Sequence, residues 1–425
     1  MKISKTGIAR VALVTTVAAV GGATAQTPVK QVVTGPTAEY WLSAETISGM
    51  AGMMGGGKPS PQAMMSMMMQ GGPSNAPIHN LTLQLGSSRK APAPSAQHMP
   101  APALGMSGAL PLLTPAVSKA EPDESALPPD MRVKGRILIF WGCGAQTRAG
   151  QPVVVDLAKM ASGGQAALAA SMKRLPYTTM KPPSVTRHAT YGEWPNERTR
   201  VRVPAGGSLA GQHAVQGNYT PDIKFSLTAS QDFLGPLTLQ TRETPTGATA
   251  AWNALPGAKA YLATAVGGGE RDTIAMWVSS EVQATAFSAP SYFSPSDITR
   301  LLEQKVLMAP QTTTCALPKA FVDAAPQAMV RVVAYGGEAN FSHPPRPTDP
   351  KIPWNIEWTT KVRYRSEAAG VLGMDMSDMG DMGMDEDEEA GPPRRGQQRP
   401  AQGQQPPAGA ARKAIMKGLG GMIGN

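Results

Sequence analysis

Three stretches of skewed composition restrict most what this chain can fold into. Residues 49–77 are dominated by Met and Gly with scattered Pro, residues 88–130 by Pro and Ala, and residues 370–425 by Met, Asp, Gln and Pro. Such segments bury too little apolar surface to offset chain entropy and are expected to be disordered. The folded core must therefore come from the segments between them. Gly and Pro together supply 85 of 425 residues (45 and 40). That exceeds a usual share of about 12% but falls short of the roughly 25–30% that marks wholesale disorder. With charged residues at 16% and aromatics at 5%, a coiled coil, a collagen-like rod and an all-helical protein are excluded. The fold class expected is mainly β, with modules interrupted by unstructured chain.

The intervening segments read as strands. Residues 38–47 (AEYWLSAETI) are aromatic and β-branched without Pro or Gly, and residues 79–87 alternate Leu81, Leu83 and Leu85 with polar partners. Ile137 to Trp141 form a continuous apolar run, as expected of a strand buried on both faces, with 152–157 (PVVVDL) as its pairing partner. A short helix is predicted around 165–175, and 201–227 reads as β with turns. In residues 354–364, Trp354, Ile356, Trp358, Val362 and Tyr364 alternate with Asn355, Glu357, Thr359, Lys361 and Arg363. That pattern predicts one buried face and one wet face. Ser294-Pro295-Ser296-Asp297 opens a helix, with Ser294 as the N-cap and Pro295 at the first helical position.

The amino terminus reads as a secretory signal peptide over residues 1–25. Lys2, Lys5 and Arg10 give a basic start, residues 8–20 an apolar run, and Ala23-Thr24-Ala25 a cleavage site before Gln26. The run is shorter than the roughly 20 residues needed to span a bilayer, so the cleaved chain is not expected to be transmembrane. Cleavage leaves 36 of the 39 Lys and Arg against 30 Asp and Glu. This mild excess is not the clustered charge of a nucleic-acid binder. The expected location is the periplasm or the cell exterior. Export also bears on the two cysteines, Cys143 and Cys315, which are expected to pair in an oxidising compartment. The disulfide would contribute on the order of 4–5 kcal/mol in the chain-entropy model.

Residues 236–366 carry a further pattern. In GATAAWNALPGAKAYLATAVGG, Trp252 precedes a Pro-Gly turn and Tyr261, and 329–335 (MVRVVAY) ends in Gly336-Gly337. This segment resembles a fibronectin type III module, in which a core Trp and Tyr occupy the second and third strands. The resemblance implies a β-sandwich, here with a helical insertion and with Cys315 in the loop after it. The remaining β segments, 36–235, would form a second sandwich-like module with disordered insertions at 49–77 and 88–130. The strings AEYW, ILIFWGCG and WPNERTR resemble secreted alphaproteobacterial proteins of unknown function, a likeness that implies export but no activity.

Candidate chemistry is sparse. Met64, Met65, Met67, Met68 and Met69 crowd one block, and Met374, Met376, Met379, Met382 and Met384 another, the latter among Asp375, Asp378, Asp381 and Asp385. Thioether sulfur is a soft ligand suited to Cu(I), and copper(I) or Ag(I) is the metal these clusters would take. The bland alternative is an adaptable apolar surface. The five histidines (His79, His98, His188, His213 and His343) lie more than four residues apart and read as surface or hydrogen-bonded structural residues. No catalytic motif is present, so no catalytic residue or cofactor is assigned. At 411–423, Ile415, Met416, Leu419, Met422 and Ile423 fall at helical spacing beside Arg412, Lys413 and Lys417, as in a short amphipathic helix. The leading expectation is an exported, non-enzymatic interaction or scaffold protein of the cell envelope, whose partner is a protein, a glycan or a membrane surface. Periplasmic Cu(I)/Ag(I) binding is the alternative, and a secreted enzyme the least favoured.

Overall fold

The computed structural model describes residues 30–51, 77–116, 135–157, 177–178, 180–199, 201–270, 272–283 and 289–373. The protein is mainly β. Strands are numbered along the chain. Its centre is a nine-stranded sheet in the order β7 (Val153–Asp156), β6 (Arg136–Trp141), β14 (Thr273–Val278), β13 (Ala260–Gly268), β16 (Met329–His343), β18 (Trp358–Val371), β2 (Ala38–Gly49), β3 (Ile78–Ser87) and β8 (Thr190–Trp194). Two smaller sheets cover one face. One has the order β11 (Leu239–Thr244), β12 (Gly247–Trp252), β15 (Thr314–Pro318). The other has the order β10 (Ile223–Leu227), β9 (Gly211–Gly217), β4 (Ala96–Met99), β5 (Leu110–Leu112). A short parallel pair joins β1 (Val33–Thr34) to β17 (Trp354–Asn355).

The two-residue period of strands explains the layering. On the inner face Tyr40, Leu42, Leu83, Phe140, Trp277, Val332 and Val362 meet Trp252, Leu317, Val215 and Ile223 of the covering sheets in one continuous core. The outer face is apolar at one end, where α1 (Pro295–Glu303) lays Ile298 and Leu301 on Leu262, Val278 and Val333. The Ser294 hydroxyl caps this helix by accepting the Asp297 N–H at 3.1 Å, with Pro295 in its first turn. A second helix, α2 (Lys319–Ala324), puts Phe321 into the inner core.

Strands from both sides of residue 236 share the large sheet. β14, β13, β16 and β18 sit between β6 and β2, and the joints are the parallel pairs β14–β6 and β18–β2. The two β-rich segments are thus joined by backbone pairing rather than by a linker. Within the second segment, the Trp252 and Tyr261 rings pack at a tilt with centroids 5.7 Å apart in the core.

Four expectations need correction. Residues 88–116, expected to be disordered, contain β4, β5 and a 3₁₀ turn at Pro102–Leu104. Pro fits here because β5 is an edge strand, where a missing N–H is tolerated, and because Ala96, Leu104, Leu110 and Leu112 supply buried anchors. Cys315 lies in strand β15, not in a loop. The final strand begins at Trp358 rather than Trp354, which pairs separately in β17. It runs to Val371, past the point where order was expected to end. The predicted signal peptide, the helix around 165–175 and the helix at 411–423 lie outside the described residues.

Cys143 and Cys315 form a disulfide, with Cα atoms 5.1 Å apart and 172 residues between them in sequence. The bond ties the end of β6 to β15, beside a Gly144 N–H to Ala316 carbonyl hydrogen bond of 2.9 Å. At the opposite side of the molecule, Glu193 and Leu113 exchange backbone hydrogen bonds of 2.9 and 3.1 Å and join β8 to β5. Each covering sheet is therefore fastened to the large sheet at one edge.

Candidate functional site on the outer face of the sheet

Away from α1 the outer face turns from apolar to charged. The change comes between β16 and β18, and a bulge in β16, where the register with β18 shifts between Tyr335 and Glu338, lies alongside the charged part. A bulge re-aims the residues after it. Gly336 is required there, because an added Cβ would lie 2.8 Å from Tyr364 Cβ. Beyond the bulge Glu338 opposes Arg363 and Asn340 opposes Lys361, while Lys361, Arg363 and Arg365 lie beside Trp41, Ser43 and Glu45 of β2.

This face was expected to be wet, but it is half-buried, and its charges are paired. Arg365 contacts Glu45 and lies 3.6 Å from Glu367, which also contacts Arg331. Lys361 contacts Glu338, whose second oxygen Oε1 is buried without a hydrogen-bond partner. Arg363 stacks on Tyr292 at 4.2 Å and on Trp41 at 4.8 Å, and its Nε donates to Ser43 Oγ at 2.7 Å. Burial raises the Glu45 carboxyl, against the pull of Arg365. Burial also lowers Arg363 and pushes Tyr292 up to about 12. Arg365 is disfavoured by burial, but Glu45, Tyr292 and Glu367 together raise it above its ordinary value.

Next to this network lies an open groove of about 430 Å³. Two cross-strand rows form its floor: Trp41, Lys361 and Asn340, then Glu39, Thr359 and Ser342. Lys181 and Arg187 stand at one side and Trp354 at the other. The 181–188 segment is seated by His188, whose ring lies over Gly86 so closely that an added Cβ would meet it at 2.4 Å. His188 Nε2 is 3.5 Å and Arg187 3.8 Å from the Glu39 carboxylate. Trp354 donates its indole N–H to the Pro344 carbonyl at 3.0 Å, and Arg346 stacks on its ring at 5.4 Å.

A second cavity, also about 430 Å³, adjoins the disulfide and is lined by Cys143, Glu281, Lys305 and Met308. On the inner side, His98 and His213 form a buried relay. The Tyr40 hydroxyl lies 2.9 Å from His98 Nδ1, His98 Nε2 lies 3.2 Å from His213 Nδ1, and His213 Nε2 lies 2.7 Å from the Leu209 carbonyl. One set of neutral tautomers satisfies every atom: Tyr40 donates to His98, His98 to His213, and His213 to Leu209. Burial lowers both imidazoles.

Of the residues singled out in sequence, the structure brings together Cys143 and Cys315. Met64, Met65, Met67, Met68, Met69, Met374, Met376, Met379, Met382 and Met384 lie outside the described residues. Among the described residues no group of three or more His, Cys, Asp or Glu could hold a metal ion. The strand alternation pointed to Lys361 and Arg363, but nothing in sequence pointed to Lys181, Arg187 or Tyr292, which reach the face from distant loops. No protein-family model, curated protein or solved structure matches the chain.

Proposed function

We propose that this is an exported, non-enzymatic protein of the cell envelope that uses the outer-face groove to bind a partner. The observation that carries the reading is the groove itself, with indole rings, cations and hydrogen-bonding side chains from five separated parts of the chain around one open concavity. Such a concavity with a few converging polar groups is the usual form of a binding site. Export is supported by the disulfide, which belongs to an oxidising compartment. No helix among the described residues is long and apolar enough to cross a membrane. We further propose that β11 to β18 form a fibronectin type III-like unit. Its support is the arrangement of β11–β12–β15 facing β14–β13–β16–β18, with Trp252 and Tyr261 between them.

The test is fractionation of the full-length chain in a Gram-negative host, with amino-terminal sequencing of the product. The expected result is a product that begins at Gln26, carries the disulfide and co-sediments with envelope material. A cytosolic product of unchanged length would overturn the reading.

One observation favours a second reading, Cu(I)/Ag(I) binding. β2 and β18 are parallel and in register, with Ser48 beside Ala368 and Gly49 beside Ala369. The described residues flanking the two Met-rich blocks, Ala51 and Gly373, therefore leave the sheet at the same end of adjacent strands. Titration with Cu(I) of the mature protein and of variants lacking 52–70 or 374–390 tests it. Affinity lost in both deletions supports a shared thioether site, and affinity no better than that of an unfolded control peptide refutes it.

A further inference from the structure

We infer that the ligand of the outer-face groove is a saccharide bearing an anionic group, a carboxylate or a phosphate. The inference rests on the groove being the binding site. The shape of the floor is the first argument. It consists of two rows of side chains across three adjacent strands, Trp41–Lys361–Asn340 and Glu39–Thr359–Ser342. Strands lie about 4.8 Å apart and same-face residues about 7 Å apart along a strand, so the pad measures roughly 10 by 7 Å. That is the scale of a sugar ring or two. A peptide bound in extended form would instead need a run of alternating side-chain pockets along one strand.

The chemistry of the lining is the second argument. The Asn340 amide and the Thr359 and Ser342 hydroxyls both donate and accept, which suits a ligand dense in hydroxyl groups. Glu39 can only accept when ionised, so it calls for hydroxyl donors and disfavours a bare anion. Lys361 is paired with Glu338, and Lys181 and Arg187 still outnumber Glu39 in the lining and supply charge-assisted donors for one anionic substituent. Arg187 and Lys361 are already partly oriented, the first by the Pro182 carbonyl at 2.8 Å and the second by Glu338 and the Trp41 ring at 5.5 Å. Lys181 is an exposed residue of the groove lining.

Isothermal titration of the mature full-length protein tests the inference. The probes are an oligogalacturonide for the carboxylate, a phosphorylated mannose oligosaccharide for the phosphate, a maltooligosaccharide as the neutral sugar and poly-glutamate as the acidic peptide. Binding of either anionic sugar, at least about tenfold tighter than the neutral sugar and poly-glutamate, supports the inference, and the preferred arm names the anion. Lys181→Glu is expected to weaken that binding by about tenfold or more, and Asn340→Ala to weaken the anionic and neutral sugars alike. Both positions are exposed, so the fold is expected to survive, which circular dichroism checks. Equal affinity for neutral and anionic sugars, tighter binding of poly-glutamate, or unchanged affinity in Lys181→Glu would overturn it. If the protein co-sediments with envelope material but binds none of the saccharides, the ligand class falls while the envelope reading stands. A cytosolic product removes both.

Discussion

The outer face of the nine-stranded sheet is built in two ways. Under α1, Leu262, Val278, Val333, Ile298 and Leu301 make an ordinary apolar layer. Along β18 and β2, on both sides of the bulge in β16, the same face carries Lys361, Arg363, Arg365, Glu45 and Glu367, with Glu338 just past the bulge and Tyr292 over Arg363 and Arg365. The first half holds the fold by removing apolar area from water. The second desolvates charges that give back little stability even when paired. A sheet gains nothing in stability from such a face that Leu and Val would not supply. The charges therefore mark the half of the face on which a binding role is to be sought, and the groove lies in that half.

The largest predicted effect concerns what holds the apolar end to its covering sheet. Replacing both cysteines with serine is expected to cost about 4–5 kcal/mol in the chain-entropy model. Denaturant unfolding with and without reductant measures it. A loss below about 1 kcal/mol would show that β6 and β15 are held by packing alone.

Next, the two halves can be set against each other directly. Leu301 is fully buried, and Leu301→Ala should cost about 3 kcal/mol through transfer and cavity terms. Arg365→Met should cost a similar amount, because it leaves Glu45 buried without its cation, while Glu367 keeps Arg331. The halves then differ in rescue. Adding Glu45→Gln to Arg365→Met should recover part of the loss, since a neutral amide is cheaper to bury than an unpaired carboxylate. No single change elsewhere should rescue Leu301→Ala. A strictly additive Arg365/Glu45 cycle would show that the pair is not coupled.

The inner face carries its own polar exception, the Tyr40–His98–His213 relay, and it sets a pH dependence. Both imidazoles have folded values below the ordinary 6.5 because burial disfavours their charge. Below about pH 6.5 the unfolded chain therefore binds protons that the folded chain refuses. Stability should fall as pH drops from there toward the folded values, by up to about 1.4 kcal/mol per unit for each histidine. Glu45, raised by burial, works in the opposite sense. In the window between about pH 6.5 and 5.5 His79, also lowered by burial, adds to the slope in the same sense as the relay histidines, so the relay is read from the resonances of His98 and His213. Two histidine resonances that stay neutral across it while stability declines are the expected result. Stability independent of pH there would refute the relay as drawn.

How much of this was legible in sequence follows from the range of each interaction. Alternation in 79–87 and the apolar run at Ile137–Trp141 report on neighbours two residues away, and both segments form strands. The pairing of Cys143 with Cys315 followed from compartment chemistry. What composition obscured was residues 88–116, where four apolar anchors among the prolines suffice for two strands. Alternation also marked Lys361 and Arg363 as polar, but not as half-buried. The cover comes from Tyr292 and the 181–188 segment, and no local pattern encodes a contact between residues so far apart in the chain. The relay between His98 and His213 is hidden for the same reason, since their 115-residue separation is closed only by the pairing of β4 with β9.

The smallest predicted effect tests whether the roof of the charged half holds or merely covers it. The Tyr292 ring lies 4.2 Å from the Arg363 guanidinium and 5.4 Å from that of Arg365. Tyr292→Leu keeps an apolar cover but removes the ring's quadrupole, and it should cost about 1 kcal/mol, the range of a partly desolvated cation–π contact. If Arg363 is held in place chiefly by Tyr292, its companion Trp41 should also gain mobility, read as a change in indole fluorescence. Stability and fluorescence both unchanged would mean that Ser43 and Trp41 suffice to fix Arg363. The charged half would then be organised from the strands alone, as the apolar half is not.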